Sequence, residues 1–309
     1  DSTFENLVGT RQQAALIEAV EMISGAGTRF SAEAYSRARQ TPVFFGSALN
    51  DFAVEPFLHA LLTLSPSPQP RESDRGLLHP TQESFSGFIF KIQANMNPRH
   101  RDRVAFLRVC SGRLTKDMTV VNARLDTSLR LSRVYRFFGR DRETVPEAYP
   151  GDVVGIVNPG RIAIGDTLYA DSPVCFPPVP QFPPEQFASL RPGDVRHKRF
   201  DEAINQLAEE GLLQVFLPQM GPLNPIVGVI GPLQLDVIEA RLLNEYGIES
   251  KIEQLPHIGV RWPQTNDLNS LALPLSGVLK AVDRHGQKVL IFQTSWELQY
   301  VIDKNPNID

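Results

Sequence analysis

The sequence predicts a multidomain protein with an α/β piece at its start, a β-barrel in its middle and an α+β domain with a mostly antiparallel sheet at its end. Three observations carry this. At 309 residues the chain is longer than one hydrophobic core ordinarily serves. Two proline-rich stretches, 65–80 and 170–184, divide it. Between them, residues 85–168 alternate β-branched and aromatic runs with the turn dipeptides Ser111-Gly112, Pro150-Gly151 and Gly165-Asp166, the pattern of short antiparallel strands. The expected divisions are 1–64, a linker at 65–80, a barrel at 81–175 and the α+β domain at 180–309.

Residues 11–23 place Ala, Leu, Ile and Val at helical spacing and stop at Gly25 and Gly27, and Ser31 is positioned to cap a second, short helix. Thr41-Pro-Val-Phe-Phe-Gly46 suits a buried strand, with the turn Ser47-Ala48-Leu49-Asn50-Asp51 after it. Val54, Phe57, Leu58, Leu61 and Leu62 then mark one face of an amphipathic helix. The linker is expected to be extended because Pro66, Pro68, Pro70 and Pro80 cannot sustain a helix.

Beyond the barrel, Phe200, Ala203, Ile204 and Leu207 predict a helix ended at Gly211. Strands are expected at 212–217 and 226–230. A helix striped by Leu235, Ile238, Leu242 and Tyr246 should stop at Gly247, and a half-exposed strand should carry Ile248, Ser250 and Ile252. Further strands at 278–282 and 289–292 and a short helix from Trp296 complete the α+β layer.

Composition bounds the function. Forty-two per cent apolar and 21% charged residues describe an ordinary globular protein, and no apolar run approaches a membrane span. With no leader either, a cytoplasmic, monomeric protein without membrane partners is expected. Cys110 and Cys175 read as free thiols, and neither they nor the histidines show metal-ligand spacing. The net charge of −4 hides an asymmetry. Arg99, Arg101 and Arg103 against Asp102 give a local +2, and Arg130, Arg133, Arg136, Arg140 and Arg142 against Asp141 give +4, leaving −10 elsewhere. Planar guanidinium donors suit phosphate oxygens, so Arg99, Arg101, Arg103, Arg130, Arg133 and Arg136 are the candidate RNA contacts. The bland alternative is a strand face paired with nearby acids. Tyr135, Phe137 and Phe138, at strand spacing, read as core rather than base-stacking platforms.

Several of these segments resemble a known family. Gly151-Asp-Val-Val-Gly-Ile156 with Ile164-Gly-Asp-Thr-Leu168 is similar to the close of the second domain of the translational GTPases. The stretch from Phe90 to Val109, centred on Gln93-Ala-Asn-Met-Asn-Pro-Arg-His-Arg-Asp-Arg103, resembles the class II release factors, the peptide chain release factor 3 family, more closely than elongation factor G. Residues 206–216, 226–249 and Arg261-Trp-Pro263 follow that family's third domain. The resemblance runs, with gaps, from about residue 41 to near the C-terminus.

It implies that residues 1–64 are the C-terminal remnant of a GTP-binding domain. There Ser47, Ala48 and Leu49 would form the guanine-side turn, its backbone N–H groups reaching the base. It also implies that the complete family protein takes GTP or GDP with Mg, and that ribosomal RNA and proteins and the class I release factors are its partners. The family uses GTP to dissociate those factors after termination.

No Gly-x-x-x-x-Gly-Lys-Ser/Thr loop and no Asn-Lys-x-Asp occurs in the sequence. Asp152-Val-Val-Gly155 and Asp283-Arg-His-Gly286 fall downstream of the Ser47 turn and read as ordinary turns. The chain by itself is therefore expected to be no enzyme, with no cofactor or metal of its own. Two rivals stand beside this reading. One is a fragment of a related elongation or ribosomal-protection factor. The other is an unrelated enzyme using carboxylates such as Glu209 with Glu210 or Asp236 with Glu239. Those pairs read as solvated helix charges, and no nucleophile, base and orienting residue stand together.

Overall fold

A computed structural model describes residue 6 and residues 9–306, apart from 28, 95–102, 139, 140, 159, 194–196, 221–223 and 266. The chain divides into two compact units, Asp1–Ser67 and Pro68–Asp309.

The first unit contains α1 (Thr10–Ala26), α2 (Ala32–Ser36) and α3 (Val54–Leu64). Ser31 caps α2, its hydroxyl accepting the Ala34 N–H at 3.3 Å. The strand expected at 41–46 does not form, and Val43 and Phe45 stand 72% and 83% exposed. A buried strand needs neighbours on its edges and a layer over it. Among the described residues of this unit the only pairing is the single bridge Ser47↔Phe52. The apolar stripe of α3 is likewise bare, although Phe57 packs edge-on against Phe44 with centroids 5.5 Å apart.

The second unit begins with a correction to the expected linker, since β1 (Arg71–Ser73) and β2 (Gly76–Leu78) form a hairpin within it. The Arg71 guanidinium lies 4.0 Å from the Phe88 ring centroid and 5.3 Å from that of Phe176. Asp74 exchanges hydrogen bonds with Cys175, donating its N–H to the Cys175 carbonyl and accepting the Cys175 N–H on its carboxylate. These long-range contacts override the local preference for extended linker.

The barrel comprises β3 (Ser86–Ala94), β4 (Arg103–Ser111), β5 (Leu114–Thr115), β6 (Thr119–Asn122), β7 (Thr127–Arg130), β8 (Val134–Phe138), β9 (Asp141–Thr144), β10 (Glu147–Ala148), β11 (Val153–Asn158) and β12 (Thr167–Tyr169). Eight of these make an antiparallel sheet in the order β7-β6-β12-β3-β4-β11-β8-β9. The β5–β10 ladder, with the Lys116 N–H donating to Pro146 and the Asp117 N–H to Leu131, brings the two ends of that order together. The sheet thus encloses one apolar interior containing Ile89, Leu107, Leu114, Val120, Val134, Ile156 and Leu168.

The Ile164-Gly-Asp-Thr-Leu168 segment explains its own sequence. Its strand, β12, is wedged between β6 and β3. Asp166 is 2% exposed, and its carboxylate accepts from Asn122 Nδ2 at 2.6 Å, Arg124 Nε at 2.6 Å and the Ala163 N–H at 2.9 Å. Thr167 Oγ1 accepts the Phe176 N–H at 2.9 Å. A buried carboxylate with this many donors ties three segments of the barrel together.

The α+β part holds β13 (Gln186–Pro192), α4 (His197–Glu209), β14 (Gln214–Pro218), β15 (Ile226–Val229), α5 (Leu233–Tyr246), β16 (Ser250–Leu255), β17 (Gly259–Arg261), β18 (Val278–Asp283), β19 (Lys288–Phe292) and α6 (Ser295–Lys304). Its sheet is antiparallel throughout, in the order β16-β13-β15-β14-β18-β19-β17. From β13 to β16 this is a β-α-β-β-α-β unit. Phe200, Leu207, Ile238 and Leu242 from α4 and α5 pack with Leu190, Val215, Val227 and Val229 of the sheet. Phe187, Phe216, Ile226, Val289 and Ile291 form a second cluster. The predicted helices and strands are all present, and α5 buries Leu235, Ile238, Leu242 and Tyr246 as its spacing requires. Two strands escaped the sequence, β13 and β17. The polar Ser189 and Arg191 and the flanking prolines make β13 look like a domain boundary.

His257 is buried beside the Phe187 ring, and its Nδ1 has no hydrogen-bond partner among the described residues. Burial pushes its pKa below 6.5, partly opposed by the charge of Glu297.

Two outcomes are expected. Asp166→Ala should lower the unfolding free energy by about 2–3 kcal/mol in urea titration, because it strands the donors of Asn122 and Ala163. The folded chain also binds fewer protons at His257 than the unfolded chain does. Stability should therefore fall as pH drops below about 6.5 towards 5, and His257→Gln should flatten that limb of the thermal-melting profile.

Candidate nucleic-acid interface

The basic residues of the barrel separate into three groups. Arg99 and Arg101, with Arg140, lie outside the described residues. Arg130, Arg133 and Arg136 cluster where β7 passes into β8. Arg130 closes β7 and remains exposed while pairing with Asp117 at 3.2 Å. Arg133 is exposed in the connection and has no ion-pair partner among the described residues. Arg136 sits half-buried on β8, opposite Glu143 of β9. Two of the three therefore have an acid at hand, as the bland alternative anticipated.

Strand alternation settles the aromatic residues differently from expectation. Val134 is in the barrel interior, so Tyr135 and Phe137 face outward. The Phe137 ring lies over Gly155, where an added Cβ would come within 2.2 Å of it. Its centroid is 5.1 Å from Phe106, which lies 6.5 Å from Phe90. Lys91 stands 5.4 Å over Phe106, and Arg142 lies within 5.9 Å of both Tyr135 and Phe137. Phe138 is exposed. Tyr135, Phe137, Phe106 and Phe90 form an outer strip edged by cations rather than a core, and the glycine in β11 leaves room for Phe137 within it.

Arg103 has another role. Its Nη1 donates to Glu209 Oε2 at 2.7 Å, joining the start of β4 to the end of α4. Next to it the Ala94 N–H, at the end of β3, donates to Glu210 Oε1 at 2.7 Å. Arg241 of α5 grips the same carboxylate with Nη1 and Nη2 and reaches Glu245 through Nε at 2.6 Å. The Glu210 side chain is 8% exposed. Burial works against the Arg241 charge, but the hydrogen bonds to Glu245 and Glu210 more than offset it, raising its pKa above the usual arginine value. Tyr246 donates to Gln206 Oε1 at 2.9 Å, and burial with the charges of Glu210 and Glu245 pushes its pKa up to about 12. Glu209 and Glu210 are thus the ionic joint between barrel and α+β part, not solvated helix charges. A signal was present: two acids at a helix C-terminus oppose the macrodipole unless cations meet them.

At the Ser47 turn, Ser47 and Phe52 exchange backbone hydrogen bonds at 3.0 and 2.9 Å, and Asn50 Nδ2 donates to Ser47 Oγ at 3.0 Å. The backbone N–H groups of Ala48 and Leu49 meet no acceptor among the described residues, and Leu49 is exposed. This leaves two adjacent donors open at a tight turn.

Among the described residues, no group of three or more His, Cys, Asp or Glu side chains is placed to hold a metal, and no helix is long and apolar enough to cross a membrane.

Comparison with known proteins places this arrangement. Residues 176–302 match the family described as class II release factor RF3, C-terminal domain, and residues 84–171 match elongation factor G domain 2. Peptide chain release factor 3 of Gloeobacter violaceus is 43% identical over all of this chain and 59% of its own length. That of Synechocystis sp. is 42% identical over 97% of this chain and 56% of its own length. That of Symbiobacterium thermophilum is 39% identical over all of this chain and 59% of its own length. A crystal structure of a protein from Thermus thermophilus shares the fold, with a TM-score of 0.58 at 24% identity over 82% of this chain and 39% of that one. The chain spans a little over half the length of the curated relatives it matches.

Removing the guanidinium at the joint should be severe. Arg241→Ala is expected to destabilise the second unit by about 3–5 kcal/mol, because it leaves Glu210 buried without its cation. Arg103→Ala, at a more accessible pair, should lose about 1 kcal/mol. Guanidinium titrations of both variants measure the difference.

Proposed function

This chain belongs to the peptide chain release factor 3 family, and from that premise we propose that it is the ribosome-binding portion of a class II release factor. The observation that supports this most is the concentration of cations on the barrel, with Arg130 and Arg133 exposed at its rim, in a chain that is otherwise acidic. Such residues contact phosphates of ribosomal RNA, while the ionic joint at Glu210 holds barrel and α+β part at one angle for ribosomal RNA and protein to read.

In the complete protein, GTP or GDP with Mg governs whether class I release factors are dissociated after termination. The Ala48 and Leu49 N–H groups fit the guanine-side role, being unused donors at a tight turn. The phosphate-cradling loop is not in this sequence, so no hydrolytic step is assigned to these residues, and the chain alone does not turn over GTP. It works in the cytoplasm as a monomer.

The barrel by itself does not separate this reading from an elongation or ribosomal-protection factor, since residues 84–171 match elongation factor G domain 2. The match at 176–302 is what favours the release factor.

Binding of the chain to purified ribosomes across a salt series tests the proposal. Arg130→Gln/Arg133→Gln/Arg136→Gln should weaken binding and flatten the slope of log affinity against log salt by about 2, as loss of two to three phosphate contacts requires. An unchanged slope would remove these arginines from the interface, and no ribosome binding by the unaltered chain would end the proposal.

A further inference from the structure

The helix α5 turns Leu235, Ile238, Leu242 and Tyr246 inward. The far side of a helix packed on a sheet is ordinarily charged. Here it is apolar. Leu233, Val237 and Ala240, at i, i+4 and i+7, share the outward face. Leu233 is 76% exposed and Val237 44%, and Ala240 is also exposed. Ile230 precedes this ridge and Leu243 flanks it, both exposed.

The border of the ridge is acidic. Asp236 and Glu239 lie along one side, exposed and with no ion-pair partner among the described residues. On the other side Glu245 shares its cation, Arg241, with Glu210. Residues 176–309 carry 11 Lys and Arg against 16 Asp and Glu, so no wider positive field offsets these carboxylates. This charge pattern selects among occupants. A phosphate backbone would be repelled, and a second copy of the chain would set Asp236 and Glu239 against their own kind. A segment with apolar side chains between cations satisfies both ridge and border.

We propose that the outward face of α5 docks a basic amphipathic polypeptide segment, laid helix against helix with its apolar stripe on Leu233, Val237 and Ala240 and its Lys or Arg residues against Asp236 and Glu239. This surface is separate from the arginines of the barrel, and its occupancy does not depend on their binding RNA.

The test uses the whole chain and a fluorescent Lys/Leu peptide of about 18 residues, patterned as an amphipathic helix, beside a scrambled peptide of the same composition. Anisotropy should show the patterned peptide binding about tenfold more tightly than the scrambled one. Leu233→Gln/Val237→Gln, which alters only exposed side chains, should remove that preference with no change in unfolding midpoint. Asp236→Asn/Glu239→Gln should weaken binding of both peptides and lessen its salt dependence.

Equal binding of the two peptides, or indifference to Leu233→Gln/Val237→Gln, overturns the proposal. So does concentration-dependent dimerisation that Leu233→Gln/Val237→Gln abolishes, since the occupant would then be a second copy. Direct binding of a labelled oligouridylate that Leu233→Gln/Val237→Gln abolishes would assign the surface to RNA and overturn the proposal as well. Ribosome binding through the barrel is read in a different assay with different variants, so either reading can fail alone.

Discussion

The carboxylate of Glu210 fixes how the second unit is assembled. It is removed from water at the end of α4, and its charge is tolerable only because Arg241 supplies a fork of donors and Ala94 a backbone N–H. Those partners come from different places, one from α5 and one from the end of a barrel strand. Satisfying a single buried charge therefore specifies a relation between two architectures. The adjacent Arg103–Glu209 pair repeats the connection with more solvent about it. A purely apolar contact would hold the parts together but would tolerate sliding, whereas a bidentate pair with a fixed backbone donor does not.

The barrel applies the same logic within itself. Asp166 gathers Asn122, Arg124 and Ala163 around one buried carboxylate, so the motif that looks like a signature of a functional class is chiefly a device for seating β12 between β6 and β3. Gly155 plays a comparable part on the outside, where its missing side chain lets Phe137 lie against β11 and extend the row of rings towards Phe106 and Phe90. Interior and exterior of the barrel are thus specialised by a few residues. The interior is sealed by apolar strand faces, and the exterior carries rings and cations.

The two surfaces proposed for docking differ in sign. Arginines crowd the barrel rim where β7 meets β8, while α5 presents an apolar ridge among acids. Surfaces of opposite charge and different polarity suit different partners, because neither can be satisfied in the other's place.

Periodicity and punctuation alone determined most elements. The stripe of α5, its stop at Gly247, the cap of α2 by Ser31 and the turn-separated strands of the barrel all follow from neighbours within a few residues, which is the range over which helix and turn energetics act. The resemblance of the 90–109, 151–168 and 206–249 segments also carried the family. What needed the tertiary structure was everything decided by contacts distant along the chain. The run at 41–46 has the composition of a strand but no neighbour to pair with, and β13 lacks that composition yet lies between β16 and β15 because both its edges find partners. Tyr135 and Phe137 face outward because register, not hydrophobicity, sets direction on a strand. Glu209 and Glu210 changed from surface charges to a joint for the same reason: whether a charge is solvated depends on what folds against it, and their partners lie 31 to 116 residues away.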